Sequence, residues 1–172
     1  IMVLWLLIMR AAGIELRHQL EHNHMWTSFW DFVFSLASIL LAIFFGAALG
    51  NVIRGVPLNS EGYFFEPLFT HWFTVLSGVV AFVALAVHGA NYLAMKTEDE
   101  MNLRARKVVG VGWYALVGVT VLSLLAVMYV RPTLLDNYYA LPIGWLILLA
   151  VAASLAAMKY FNAKGQDRNA FI

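Results

Sequence analysis

Two polar residues stand inside an otherwise apolar run, His88 and Asn91 of AVHGANYLAMKT, Ala86 to Thr97. A histidine there has three chemical uses: haem ligand, proton relay, or polar peg gripping a neighbouring helix. A buried haem iron needs one strong axial ligand, or two on facing helices at matching depth. No other apolar run carries a histidine at that depth, and His71 lies 17 residues earlier in the same run, roughly 25 Å away at helical rise. The two cannot share an iron. Around His88, the residues Thr74, Ser77, Gly78, Ala81, Leu85, His88, Asn91 or Tyr92, and Met95 recur at three- and four-residue steps. Most are small or polar, as close helix contact in lipid requires. The preceding run shows a similar stripe, Asp31, Ser35, Ser38, Ala42 and Gly46, and Gly46 with Gly50 forms a small-xxx-small pair. The spacing therefore favours a polar peg. Asp31, Ser35, Ser38, Ser77, His88 and Asn91 are the candidates for helix packing or a proton path. For Asp31 an ordinary first-turn acid is preferred to a proton entry point.

The densest histidine cluster is ELRHQLEHNH. On a continuous helix Glu15, His18 and His22 would share a face, as a zinc site wants. No fourth ligand is evident, and a solvated amphipathic segment at the membrane interface is the preferred reading. Glu61 and Glu66, in SEGYFFEP, are too isolated to be catalytic acids. With no cysteine in the chain, thiolate iron–sulfur and cysteine zinc sites are excluded, as are disulfides. No nucleophile motif, phosphate-cradling glycine loop or nucleic-acid module is present. The residues thus yield no catalytic, cofactor-binding or metal site.

The elements that must position these residues are membrane helices. Of 172 residues, 62% are hydrophobic and 12% charged, with mean hydropathy +0.77; a soluble domain carries about a quarter charged residues. The chain reads as an all-α, polytopic transmembrane bundle. Complete spans are expected over about 26–50, 72–95, 108–130 and 142–161, after a partial first span over 1–9. The apolar opening, Ile1 to Met9, is expected to continue a helix that begins earlier in a longer subunit, with 1–172 forming one bundle. Gly50 and Asn51 suit a helix C-terminus, and Gly55 and Pro57 a turn. Arg10, Arg17, Lys96, Arg104, Arg106, Lys107, Lys159, Lys164 and Arg168 fall on one side and Arg54 with Arg131 on the other. The positive-inside rule makes the first side cytoplasmic, with loops 10–25 and 96–107 and the C-terminal end. A net charge of +1 gives no support for nucleic-acid binding.

Taken in order, GIELRHQ, MWTSFWDFVFSLASIL, GNVIRGVPL and HGANYLAMKTEDEMNLRAR resemble subunit II of the cytochrome bd-type quinol oxidases, closest to the cyanide-insensitive branch. The resemblance covers most of the chain. It implies a subunit of a bacterial cytoplasmic-membrane enzyme that oxidises quinol and reduces oxygen to water. It places haems b and d in a partner, subunit I, which subunit II helps to assemble and stabilise. It implies no catalytic residue here, and a role for membrane lipid or for quinone bound from the pool. Two rivals are a haem-binding membrane anchor of a dehydrogenase, with His88 as ligand, and a secondary transporter. Transporters tend to have broken helices and midplane charges, which these spans lack.

Overall fold

The computed structural model describes residues 1–20, 22–55, 69, 71–133, 136, 138, 139 and 143–171. Among them the chain is helical: α1 (Met2–Gln19), α2 (His24–Arg54), α3 (Trp72–Lys96), α4 (Asp99–Val130), α5 (Gly144–Ala163) and the short α6 (Asp167–Phe171). The four helices α2 to α5 are long and apolar enough to cross a membrane. The expected polytopic helical bundle is therefore found.

Helix ends follow local chemistry. Asn23 caps α2, its side-chain oxygen accepting from the Met25 and Trp26 amides, two donors that the first turn leaves unpaired. Gly55 ends α2 with φ 83, a left-handed conformation that glycine adopts without penalty. The His71 ring accepts from the Phe73 amide and caps α3. Between α3 and α4 the chain reverses within Thr97 and Glu98, and Asp99 takes φ 55, which a short polar side chain tolerates.

Several helices outrun their expected limits. The Arg10–Gln19 segment, expected as loop, continues α1. The 99–107 segment forms the first turns of α4, because Glu, Met, Leu, Arg, Ala and Lys are strong helix formers whether or not lipid surrounds them. Arg104 and Glu100 add an ion pair one turn apart at 2.5 Å. Helix α2 runs past Gly50 and Asn51 to Arg54; those two residues are not its end but part of its packing face. The expected start of the last span at Pro142, the expected turn at Pro57, and Glu61 and Glu66 lie outside the described residues.

Consecutive helices pack side by side: α1 on α2, α2 on α3, α3 on α4. Helix α3 is the centre, and α6 folds back against both α3 and α5. The chain runs antiparallel. Asn51 near the end of α2 meets Thr74 near the start of α3, and Asn102 at the start of α4 meets Ala94 at the end of α3. Glycine sets the closeness of α2 and α3. A Cβ added at Gly46 would stand 2.5 Å from the Ala81 Cβ and 2.6 Å from the Ser77 carbonyl. One at Gly50 would stand 2.6 Å from the Ser77 Oγ. Such backbone approach supplies the dispersion contact that holds helices together in lipid. By contrast, α5 touches α4 only slightly and buries none of its residues.

Candidate functional site

The polar residues buried in this bundle gather at its two ends. At the end holding Arg54 and Arg131, the Thr74 hydroxyl donates to the Asn51 Oδ1 at 2.8 Å, both side chains being buried. Beside them the Arg131 Nη1 donates to the Arg54 carbonyl at 3.1 Å and, more weakly, to the Ile53 carbonyl at 3.4 Å. These belong to the last turn of α2, where carbonyls have no helical partner and the dipole favours a cation. Arg131 thereby ties the end of α4 to the end of α2.

At the opposite end, α3, α4, α5 and α6 meet in a larger network. Asn91, 2% exposed, donates from Nδ2 to the Val87 carbonyl at 3.1 Å and accepts at Oδ1 from the Asn162 Nδ2 at 3.2 Å. This fixes both amide orientations: Val87 offers only an acceptor, so Asn91 presents its oxygen to Asn162, which must present nitrogen. Asn162 Oδ1 is then left buried without a donor. The Asn102 Nδ2 donates to the Ala94 carbonyl at 2.6 Å and to the Asp167 Oδ2 at 3.1 Å. Arg106 donates to that same oxygen from Nε at 3.2 Å and Nη2 at 2.7 Å, and from Nη2 to the Gly165 carbonyl at 3.1 Å. Asp167 Oδ1 has no donor among the described residues. With its side chain 13% exposed, Asp167 joins α6 to α4.

Between α4 and α5 the ties are aromatic. The Trp113 indole donates to the Leu155 carbonyl at 2.9 Å. The Lys159 ammonium lies 4.1 Å from the Trp113 ring centroid and 4.4 Å from that of Tyr114, and donates to the Tyr114 hydroxyl at 3.0 Å.

The sequence-predicted candidates are dispersed. Asp31 is exposed and pairs with Arg17 of α1 at 2.8 Å. It lies two turns into α2, whose first turn holds no acid, because the helix begins at His24. Ser35 is exposed. Ser38 and Ser77 return their hydroxyls to the Phe34 and Phe73 carbonyls of their own helices, and Ser77 also packs on Gly50. His88 does not share a face with Asn91. It is exposed on the outer surface of α3, with its ring 4.7 Å from that of Phe171, beside a cavity of about 720 Å³ that Ser154, Met158 and Phe161 also line. The single small-polar stripe splits because the first half of α3 faces α2 through Thr74, Gly78 and Ala81, while its second half buries Val87, Ala90, Asn91 and Ala94.

The donor set does not fit a haem with two axial histidines. His71 caps its own helix and His88 stacks on Phe171. The Glu15, His18 and His22 spacing does not produce a shared face either, since α1 ends at Gln19. Among the described residues no three His, Cys, Asp or Glu side chains converge as a metal ion requires.

Sequence reasoning missed Asn102, Asn162 and Asp167, and read Asn51 only as a helix terminus. Each stands next to a helix end or charged segment, where a polar residue draws no notice. Only their pairing, across 71 residues for Asn162 with Asn91 and 65 for Asp167 with Asn102, gives them meaning.

A family model described as "Cytochrome bd terminal oxidase subunit II" matches residues 1–172. A Haemophilus influenzae protein described as "Probable cytochrome oxidase subunit 2" is 37% identical over 120 residues, covering 65% of this chain and 31% of the relative. The "Cytochrome bd-I ubiquinol oxidase subunit 2" of Escherichia coli K12 is 32% identical over 154 residues, covering 81% of this chain and 40% of the relative. The "Cytochrome bd ubiquinol oxidase subunit 2" of Bacillus subtilis is 24% identical over 173 residues, covering 97% and 49%. The chain spans less than half the length of these relatives.

Proposed function

From the premise that the chain belongs to the cytochrome bd terminal oxidase subunit II family, we propose that it works as part of a terminal quinol oxidase, quinol plus oxygen giving quinone plus water. In this reading its place is the bacterial inner membrane. The Lys- and Arg-rich end, with segments 10–25 and 96–107 and the C-terminal end, faces the cytoplasm. Its partner is a haem-bearing subunit I holding haems b and d, with membrane lipid and the quinone pool around it. Its own part is to assemble and steady that partner, and residues 1–172 act as one bundle within a longer subunit. No residue of this stretch takes a catalytic role, and quinone or lipid is the only small molecule assigned to it.

The observation that carries this reading is the family match over residues 1–172. The bundle adds physical support. Helix α5 buries no residue of its own, and neither His88 nor Asp31 sits where a reaction needs an enclosed group. Among the candidates, Ser77 and Asn91 serve packing, Asp31 holds α1 to α2 through Arg17, and Ser35, Ser38 and His88 face outward or their own backbone.

The test is deletion of the gene, with difference spectra and quinol-dependent oxygen uptake measured on the membranes. The expected result is loss of both the haem d signal and the oxidase activity, restored by the full-length gene. Retention of full activity would overturn the reading, as would a haem spectrum from this subunit purified alone.

A further inference from the structure

A cleft of about 260 Å³ opens between α4 and α5, lined among others by Arg106, Trp113, Tyr114, Lys159 and Asn162. Four features of it point to a ligand. Lys159 is four residues from the end of α5, and Trp113 is six residues beyond Lys107, the last charge before the apolar part of α4. Both therefore sit at the depth where lipid phosphates meet hydrocarbon. Lys159 is fixed in place by two aromatic rings and a hydroxyl, yet forms no salt bridge with a described carboxylate. An ammonium has three donors, and only one is used. Arg106 spends Nε and Nη2 on Asp167 and Gly165, leaving Nη1 without an acceptor among the described residues. Finally, Asn162 is one of the residues lining the cleft, and its Oδ1, just beneath that surface, has no donor among the described residues.

We propose that this cleft binds the headgroup of an anionic phospholipid carrying free hydroxyls, of the phosphatidylglycerol class. The phosphodiester takes the open donors of Lys159 and Arg106, a charge-assisted pairing, and a headgroup hydroxyl donates to Asn162 Oδ1. The acyl chains lie along the apolar, uncovered faces of α4 and α5. A choline headgroup brings a like charge to Lys159 and no hydroxyl donor. Phosphatidic acid brings the anion without the hydroxyls, so it ranks between the two.

The test uses the full-length protein in its purified complex, in nanodiscs of phosphatidylcholine doped with phosphatidylglycerol or phosphatidic acid. Native mass spectrometry counts the lipids retained. Phosphatidylglycerol is expected to be retained most and phosphatidic acid less. Lys159→Gln should weaken phosphatidylglycerol retention about five-fold, the effect of one cation near a membrane surface, and Lys159→Arg should keep most of it. Unvaried protein at about 1 M salt, where the Debye length falls to about 3 Å, should release the lipid too, so the result stands even where a variant fails to assemble. Equal retention of phosphatidylcholine, or indifference to both Lys159→Gln and salt, would overturn the proposal. So would full displacement by soluble glycerol phosphate, which would make the site one for a free anion rather than a lipid.

Discussion

Asn91 and His88 are three residues apart on α3, and the helix turns them towards different surroundings. Asn91 uses its amide on both sides, towards Val87 and Asn162, in a buried setting. His88 is exposed, and among described rings it meets that of Phe171. Replacing Asn91 with Leu strands the Asn162 Nδ2, whose oxygen already lacks a donor. We expect Asn91→Leu to destabilise the full-length protein by about 1–2 kcal/mol, the range for interhelical hydrogen bonds in lipid, read as a lower unfolding midpoint in detergent. The double variant Asn91→Leu/Asn162→Leu should cost less than the sum of the single changes, because no buried amide remains to be stranded. His88→Gln should stay within about 0.5 kcal/mol, as for surface changes, and leave oxidase turnover unchanged. A collapse of turnover with haem content preserved would instead make His88 a proton relay. The sequence expectation put the polar peg at His88, whereas the hydrogen bond to a neighbouring helix is made by Asn91, because helical spacing of 3.6 residues assigns a face but not the neighbour that covers it.

At the scale of helices, the contact of α2 with α3 was the most readable part of the fold. Gly46, Gly50, Gly78 and Ala81 advertise a close approach by their size alone, and the structure brings them together. Gly46→Leu drives a branched side chain into the Ser77 carbonyl and the Gly78 Cα, neither of which can move away as a flexible side chain would. The expected outcome is a strong fall in the yield of folded protein on size-exclusion chromatography, larger than for Gly118→Leu on α4, where an added Cβ meets nothing within 4 Å. Equal yields for the two would remove the packing role of Gly46. Helix limits were less legible. The charged start of α4 looks like loop to a hydropathy reading, which weighs partition into lipid. Helix formation there rests on backbone propensity and on the Arg104–Glu100 pair, to which hydropathy is blind. The run of α1 past Arg10 follows the same logic.

For the whole molecule, orientation decides which end meets which compartment. Two ends are distinguishable in the structure. Arg54 and Arg131 stand together at one, joined by the Arg131 hydrogen bonds to the α2 carbonyls. Arg106, Lys159 and Lys164 stand at the other, around α6. The antiparallel course of α2 to α5 makes this grouping unavoidable once the helices cross the membrane, since each crossing exchanges ends. The excess of cations at the α6 end is what supports our proposal that this end faces the cytoplasm. The chain lacks cysteine, so single cysteines report sidedness without background from this segment. In a full-length protein also free of other cysteines, Lys107→Cys and Lys164→Cys, both at exposed positions, should react with a membrane-impermeant maleimide only after the cells are opened. Thr133→Cys, exposed just beyond Arg131, should react in intact spheroplasts. The reverse pattern would invert the topology and place the Lys159 cleft on the outer leaflet. Labelling of all three in intact spheroplasts would show that the helices α4 and α5 do not cross the bilayer as a pair.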